Sequence, residues 1–147
     1  MEESRLLAEF RSKFQVDQLL VAATSAWSWS LRPAQATLGA GVLSLNRHAA
    51  CFSHVSAAEM SELAELVGRV EKSLKAAFDY QAINYLMLMM VDHHVHFHVI
   101  PRYREVRRFA GLDWLDSGWP ALPALGESQH TGVEGLLPRI REALQAT

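Results

Sequence analysis

Four of the seven histidines fall within six residues, at His93, His94, His96 and His98. Three of them alternate with apolar residues in the run His94-Val95-His96-Phe97-His98-Val99-Ile100. On an extended strand, residues i, i+2 and i+4 share one face. The spacing therefore predicts a row of three imidazoles, with Val95, Phe97 and Val99 turned to the core. Successive members of such a row start roughly 6.5–7 Å apart at Cα, so three side chains can converge on one phosphate-sized group. Near neutral pH an imidazole can be a nucleophile, an acid, a base or a metal ligand. One of the row could attack phosphorus while its neighbours hold charge and move a proton. Alternatively, all three could hold zinc. Three imidazoles on an otherwise apolar strand are costly unless that face meets water or a ligand. His93 breaks the alternation, and the isolated His48, His54 and His130 read as surface or capping residues.

The elements that must position this row are legible in outline. Ser4–Phe14 reads as a helix with Leu6, Leu7, Phe10 and Phe14 on one face. Trp27-Ser28-Trp29-Ser30-Leu31 alternates large apolar with small polar residues, the pattern of a half-buried strand. Gly39-Ala40-Gly41 leads into a second strand at Val42–Leu45. Ser56-Ala57-Ala58-Glu59 is a capping box. Met60, Leu63, Val67, Val70, Leu74 and Phe78 follow it at helical spacing, predicting a long amphipathic helix over about 57–79. Asn84–Val91 is almost wholly apolar and reads as a central strand buried on both faces. His94–Arg102 reads as the next strand, with Pro101 near its end. The residues after Tyr103 read as an irregular, turn-rich tail before a last helix at Leu136–Ala146. Paired strands between helices predict an α+β fold, an antiparallel β-sheet packed with the long helix and flanked by terminal helices.

Composition narrows the classes. At 147 residues, half of them apolar and a fifth charged, the chain reads as one domain, residues 1–147, able to build its own core. Its formal net charge of −2 gives no footprint for nucleic acid or an anionic membrane. The basic run Arg102, Arg104, Arg107 and Arg108 reads as a solvated loop pairing with acidic residues, with attraction of a polyphosphate as the second reading. No apolar stretch is long enough to span a bilayer. The sequence opens without a basic region followed by an apolar run, and its single cysteine, Cys51, excludes an internal disulfide. The expectation is a cytoplasmic protein. A TIM-barrel amidohydrolase is excluded by length, since that fold needs about 200 residues or more.

The segment HVHFHVI resembles the His-φ-His-φ-His-φ-φ signature of the histidine triad (HIT) superfamily, φ being apolar. The preceding order of two strands, a helix opened by Ser-x-x-Glu, and an apolar strand is similar to that family over roughly residues 27–103. Asn84–Tyr103 resembles a bacterial branch described as diadenosine tetraphosphate hydrolase-like. The resemblance implies a HIT-like fold and a nucleotide substrate cleaved at its α-phosphate, a dinucleoside polyphosphate or a nucleoside phosphoramidate. It implies His96 as nucleophile, forming a nucleotidyl-histidine intermediate. His94 would orient His96 and assist proton transfer, and His98 would contact phosphate oxygens. It further implies a homodimer; the expectation is a site with no cofactor and no metal. Relatives grip the ribose with an Asn from the loop between the first two strands; Gln35 aligns near that place, with Arg32 as second candidate. Many relatives carry Gly-Gln-Ser or Gly-Gln-Thr just before the triad. This chain has Met89-Met90-Val91 there, then Asp92-His93, which leaves the leaving group open. Asp92 reads first as a turn residue and second as a polar contact near the phosphates. Two alternatives stand beside the hydrolase or transferase: a nucleotide-binding sensor that turns over slowly, and a zinc protein built on the three imidazoles.

Overall fold

The computed structural model describes residues 1–147. Helix α1 (Glu2–Lys13) is followed by strands β1 (Leu20–Ala23), β2 (Trp27–Leu31) and β3 (Gly41–Leu45), then helix α2 (Ala57–Phe78). Strands β4 (Ala82–Leu86), β5 (His96–Arg102), β6 (Arg107–Phe109) and β7 (Leu112–Trp114) precede helix α3 (Leu136–Gln145). Five strands form one antiparallel sheet in the order β1-β2-β3-β5-β4, and β6 and β7 form a separate hairpin. The architecture is α+β, as the paired strands predict.

Strand register explains the Trp-Ser alternation of β2. Trp29 pairs with Leu43, which pairs with Phe97, so these three side chains share the face that packs against the helical layer. Ser28, Ser44 and His96 form the adjacent row on the opposite face, and Ser30, Val42 and His98 form the next. Trp27 and Trp29 are fully buried in the main core, and the Trp27 indole donates to the Glu59 carbonyl at 2.8 Å. Small serines stand on the histidine face, where larger side chains would crowd the imidazoles.

The capping box of α2 is formed as expected. The Ser56 hydroxyl accepts from the Glu59 amide at 3.1 Å, and the Glu59 carboxylate accepts from the Ser56 amide at 2.9 Å. The buried stripe runs through Leu63, Leu66, Val70, Leu74 and Phe78; Leu66 belongs to it, whereas Met60 is exposed and Val67 half-buried. Gly39, at φ +87°, sits under this helix, where an added Cβ would lie 2.8 Å from Leu74 Cδ2.

Four expectations are corrected. The strand expected over Asn84–Val91 is β4, which ends at Leu86, is half-buried and forms a sheet edge. Its pairing stops at Leu86 opposite His98, and the chain then turns at Met89 with φ +50°. Leu88, Met90 and Val91 are left exposed, the last two at 79% and 78%. β5 begins at His96 rather than His94. The tail after Tyr103 is not irregular throughout, because β6 and β7 close on Ala110 and Gly111, both at positive φ, as a two-residue hairpin turn requires. Finally, the basic run is not simply solvated. Arg102 is buried and donates to Asp116 at 2.7 Å, to Asn84 at 2.8 Å and to the Ala121 carbonyl at 2.9 Å. It fastens the tail to the sheet. Arg108 pairs with Asp113 in solvent, and Arg107 donates to the carbonyls of Phe78 and Asp79.

Candidate active site

The three imidazoles lie side by side on the face opposite α2, and each is held differently. The ring of His94 is fixed from both ends: Nε2–H donates to the Leu45 carbonyl at 2.8 Å, and Nδ1 accepts the Ala49 amide at 3.3 Å. That pair of bonds sets its tautomer. The carbonyl of His94 in turn accepts from Nδ1–H of His96 at 2.6 Å. His96 therefore keeps its proton on Nδ1 and carries its lone pair on Nε2, the nitrogen a nucleophile needs. His98 stacks edge-on to His96 with centroids 5.1 Å apart, and its Nδ1 is buried without a partner.

Burial keeps the row neutral. It pushes the imidazoles of His94 and His98 down from 6.5 to about 4. The positive charge of Arg32 adds to the depression at His98. Burial lowers His96 too. Its agent is α1. Phe10 lies 4.9 Å from the rings of both His94 and His96, and Phe14 lies 5.7 Å from His96 and 6.0 Å from His98. His94 and His96 are each only 2% exposed beneath this cover.

Two clefts open on either side of the phenylalanines. One, of about 400 Å³, is lined by Leu6, Glu9, Phe10, His48, His93 and His94 among others. The second, of about 270 Å³, is lined by Phe14, Arg32, Met89, Met90, His96 and His98 among others. Lys13 and Asp92 line both. They form an ion pair, with Lys13 Nζ donating at 2.9 Å to each Asp92 oxygen.

The structure brings His94, His96, His98, Arg32 and Asp92 together. It does not bring Gln35. That side chain is buried in its own turn, donating to the carbonyls of Arg32 and Ala40 at 2.7 and 2.8 Å and accepting the Gly39 amide at 2.9 Å. With both amide protons donated and its side chain buried, Gln35 holds the loop and does not line either cleft. Arg32 is half-buried and bonded only to the carbonyls of Ala34 and Leu125, without a carboxylate partner. His94 is likewise corrected in part. Both ring nitrogens are committed to backbone, so it positions His96 through its carbonyl and is not free to carry a proton. The same commitments disfavour the zinc reading, because the three rings do not offer their nitrogens to one point, and no group of three potential ligands converges elsewhere.

Sequence reasoning missed Lys13, Phe10, Phe14 and His48 as parts of this site. His48, read as a surface residue, stacks on His94 at 5.5 Å. The apolar face of α1 was visible, but nothing in a helix names the surface it covers.

Comparison with known proteins bears on the fold. The family model for the HIT domain matches residues 42–105. No curated protein sequence matches the chain. Among solved structures, a histidine triad protein of Bradyrhizobium japonicum is similar with a TM-score of 0.69 at 16% identity, over 90% of this chain and 92% of that one. One from Sinorhizobium meliloti gives 0.68 at 15% identity, over 90% and 92%. A hypothetical histidine triad nucleotide-binding protein of Sulfolobus tokodaii gives 0.65 at 19% identity, over 97% and 92%. The fold is that of the histidine triad proteins.

Proposed function

We propose that this protein is a histidine triad hydrolase or transferase that cleaves nucleotidyl conjugates at the α-phosphate, using His96 as nucleophile. The observation that carries the reading is the 2.6 Å bond from His96 Nδ1 to the His94 carbonyl. It leaves a neutral imidazole with a free Nε2, aligned beside two further imidazoles. In the first step, Nε2 of His96 bonds to phosphorus as the bond to the leaving group breaks; a phosphate leaving group departs as its anion and an amine takes its proton from water. In the second, water attacks phosphorus and gives up a proton to solvent, the P–N bond breaks, and a nucleoside monophosphate is released with His96 restored. His98 contacts phosphate oxygens through its unpartnered Nδ1. Arg32 offers a guanidinium whose only bonds are to carbonyls, so an oxyanion would be its first charged partner.

The substrate class we infer is a dinucleoside polyphosphate or a nucleoside phosphoramidate, as in the diadenosine tetraphosphate hydrolase-like branch. The reading includes a homodimer in the cytoplasm. The free edge of β4 supports association, because an unpaired strand edge is a template for another chain. No helix is long and apolar enough to cross a membrane.

A slow nucleotide-binding protein is the second reading. It is favoured by the cover of Phe10 and Phe14 over His96 and by the apolar Met89-Met90-Val91 before the triad. The test is release of AMP from adenosine phosphoramidate and from diadenosine tetraphosphate, in EDTA, by the natural protein and by His96→Asn. Release by the natural protein alone supports the nucleophile. Tight AMP binding without release supports the second reading.

A further inference from the structure

The ion pair between Lys13 and Asp92 joins residues 79 positions apart, the end of α1 and the segment just before the triad. It is the one polar side-chain tie between α1 and the histidine face. The other ionic bonds of α1 run within the helix or to nearby Asp17. Apart from it, α1 is held by Phe10 and Phe14, the same rings that cover the imidazoles.

The cleft beside this pair holds two groups that lack what they need. Arg32 has no carboxylate partner, and the buried Nδ1 of His98 has no hydrogen-bond partner. Both suit an oxyanion. An anion arriving there is repelled by the Asp92 carboxylate and attracted by the Lys13 ammonium, so it competes with Asp92 for Lys13. The more charge it carries, the better it competes. A partly exposed ion pair is weak enough to be exchanged in this way.

We propose that Lys13 is a specificity-determining residue that reads the charge of the leaving group. A chain of phosphates that reaches His96 and His98 must displace Phe14, which covers both rings, and Lys13 exchanges Asp92 for phosphate as α1 lifts off the imidazoles. On the nucleotidyl reading, on which this inference rests for its catalytic meaning, leaving groups that carry phosphates open the site more readily than uncharged ones. Lys13, on a helix far away in sequence, thereby supplies a polar contact that the apolar Met89-Met90-Val91 cannot.

The test follows α1 and needs no turnover. A 12-residue helix is marginal on its own in water, so undocking speeds its amide hydrogen exchange. Exchange of residues 2–14 is measured by mass spectrometry on the full-length protein, with and without inorganic tripolyphosphate. Asp92→Asn should raise α1 exchange about two- to five-fold, the range a weak ion pair supports. Tripolyphosphate should raise it in the natural protein. It should leave Lys13→Gln, already fast, unchanged. Asp17→Asn, which breaks the neighbouring pair with Arg11, should keep the full response. Unchanged exchange in Asp92→Asn overturns the proposal. So does a tripolyphosphate effect that is absent or retarding in the natural protein, or that persists in Lys13→Gln. If AMP is released, Lys13→Gln should also narrow the ratio of kcat/KM between diadenosine tetraphosphate and adenosine phosphoramidate. If no AMP is released, the exchange result still decides the role of Lys13.

Discussion

Acid should weaken this fold at a pH where its carboxylates are still ionised. His94 and His98 are held at about 4 in the folded protein against 6.5 for a free imidazole. The unfolded chain therefore binds more protons than the folded one between those values, and stability falls as pH falls through that window. Fully developed, a displacement of this size corresponds to roughly 3 kcal/mol for each imidazole. By pH 5 the loss is about 2 kcal/mol each, or roughly 4 kcal/mol for the pair. That is a large share of the 5–15 kcal/mol typical of a domain. Depressed carboxylates work lower. Glu59, held at about 2 by Arg47 and by the Ser56 amide, contributes stability that is lost only below its ordinary 4.5. The interval from pH 6.5 to 5 thus belongs to the imidazoles. Urea unfolding followed by tryptophan fluorescence should show the midpoint falling by about 2 M between pH 7.5 and pH 5, for a slope near 2 kcal/mol per M. His94→Gln removes one titrating group and should recover about half of the pH dependence. A midpoint that stays constant over this range would refute the argument, as would NMR titration of the His94 and His98 rings near 6.5.

Three further outcomes follow from particular contacts. Arg102→Ala leaves the Asp116 carboxylate buried without its partner and should cost about 3–5 kcal/mol in urea unfolding. Gln35→Ala strips three partners from the turn that follows β2 and should cost about 1–3 kcal/mol, yet leave the preference between AMP and 2′-deoxy-AMP unchanged in a binding titration. Phe10→Ala uncovers His94 and His96, so diethyl pyrocarbonate should modify His96 several-fold faster, read by peptide mass mapping.

What could be read from the sequence was what is local. The capping box at Ser56 and Glu59 and the spacing from Leu63 to Phe78 lie within one helix, so α2 was legible to within a residue. The period of two in Trp27–Leu31 located β2, and the same period located the histidine row. The segment Asn84–Val91 was misread because its side chains are uniformly apolar. With no period there is no face, and nothing local marks the turn at Met89 that leaves Met90 and Val91 in solvent. The short strands β1, β6 and β7 have three or four residues each, too few to show a period. Gln35 and Arg32 are three residues apart in one loop. Which of them faces the triad is decided by the fold of that loop, where the Gln35 amide satisfies three backbone groups at once.

Access and protonation at the triad have a common cause. Phe10 and Phe14 exclude water from the imidazoles, and that exclusion is what holds them neutral. It also closes the path to Nε2 of His96. On the proposed function, a substrate must therefore undo part of the environment that prepares His96. An oxyanion seated between Arg32 and His98 changes the balance in the productive direction. It neutralises the guanidinium that depresses His98 and places a negative charge beside that ring, and both effects favour the imidazolium. His96, with Nδ1–H already committed to the His94 carbonyl, keeps its lone pair on Nε2 through the same change. On the proposed function, two neighbouring imidazoles that are both neutral at rest thus diverge once phosphate arrives, one as the nucleophile, the other as a positively charged partner to the phosphate oxygens.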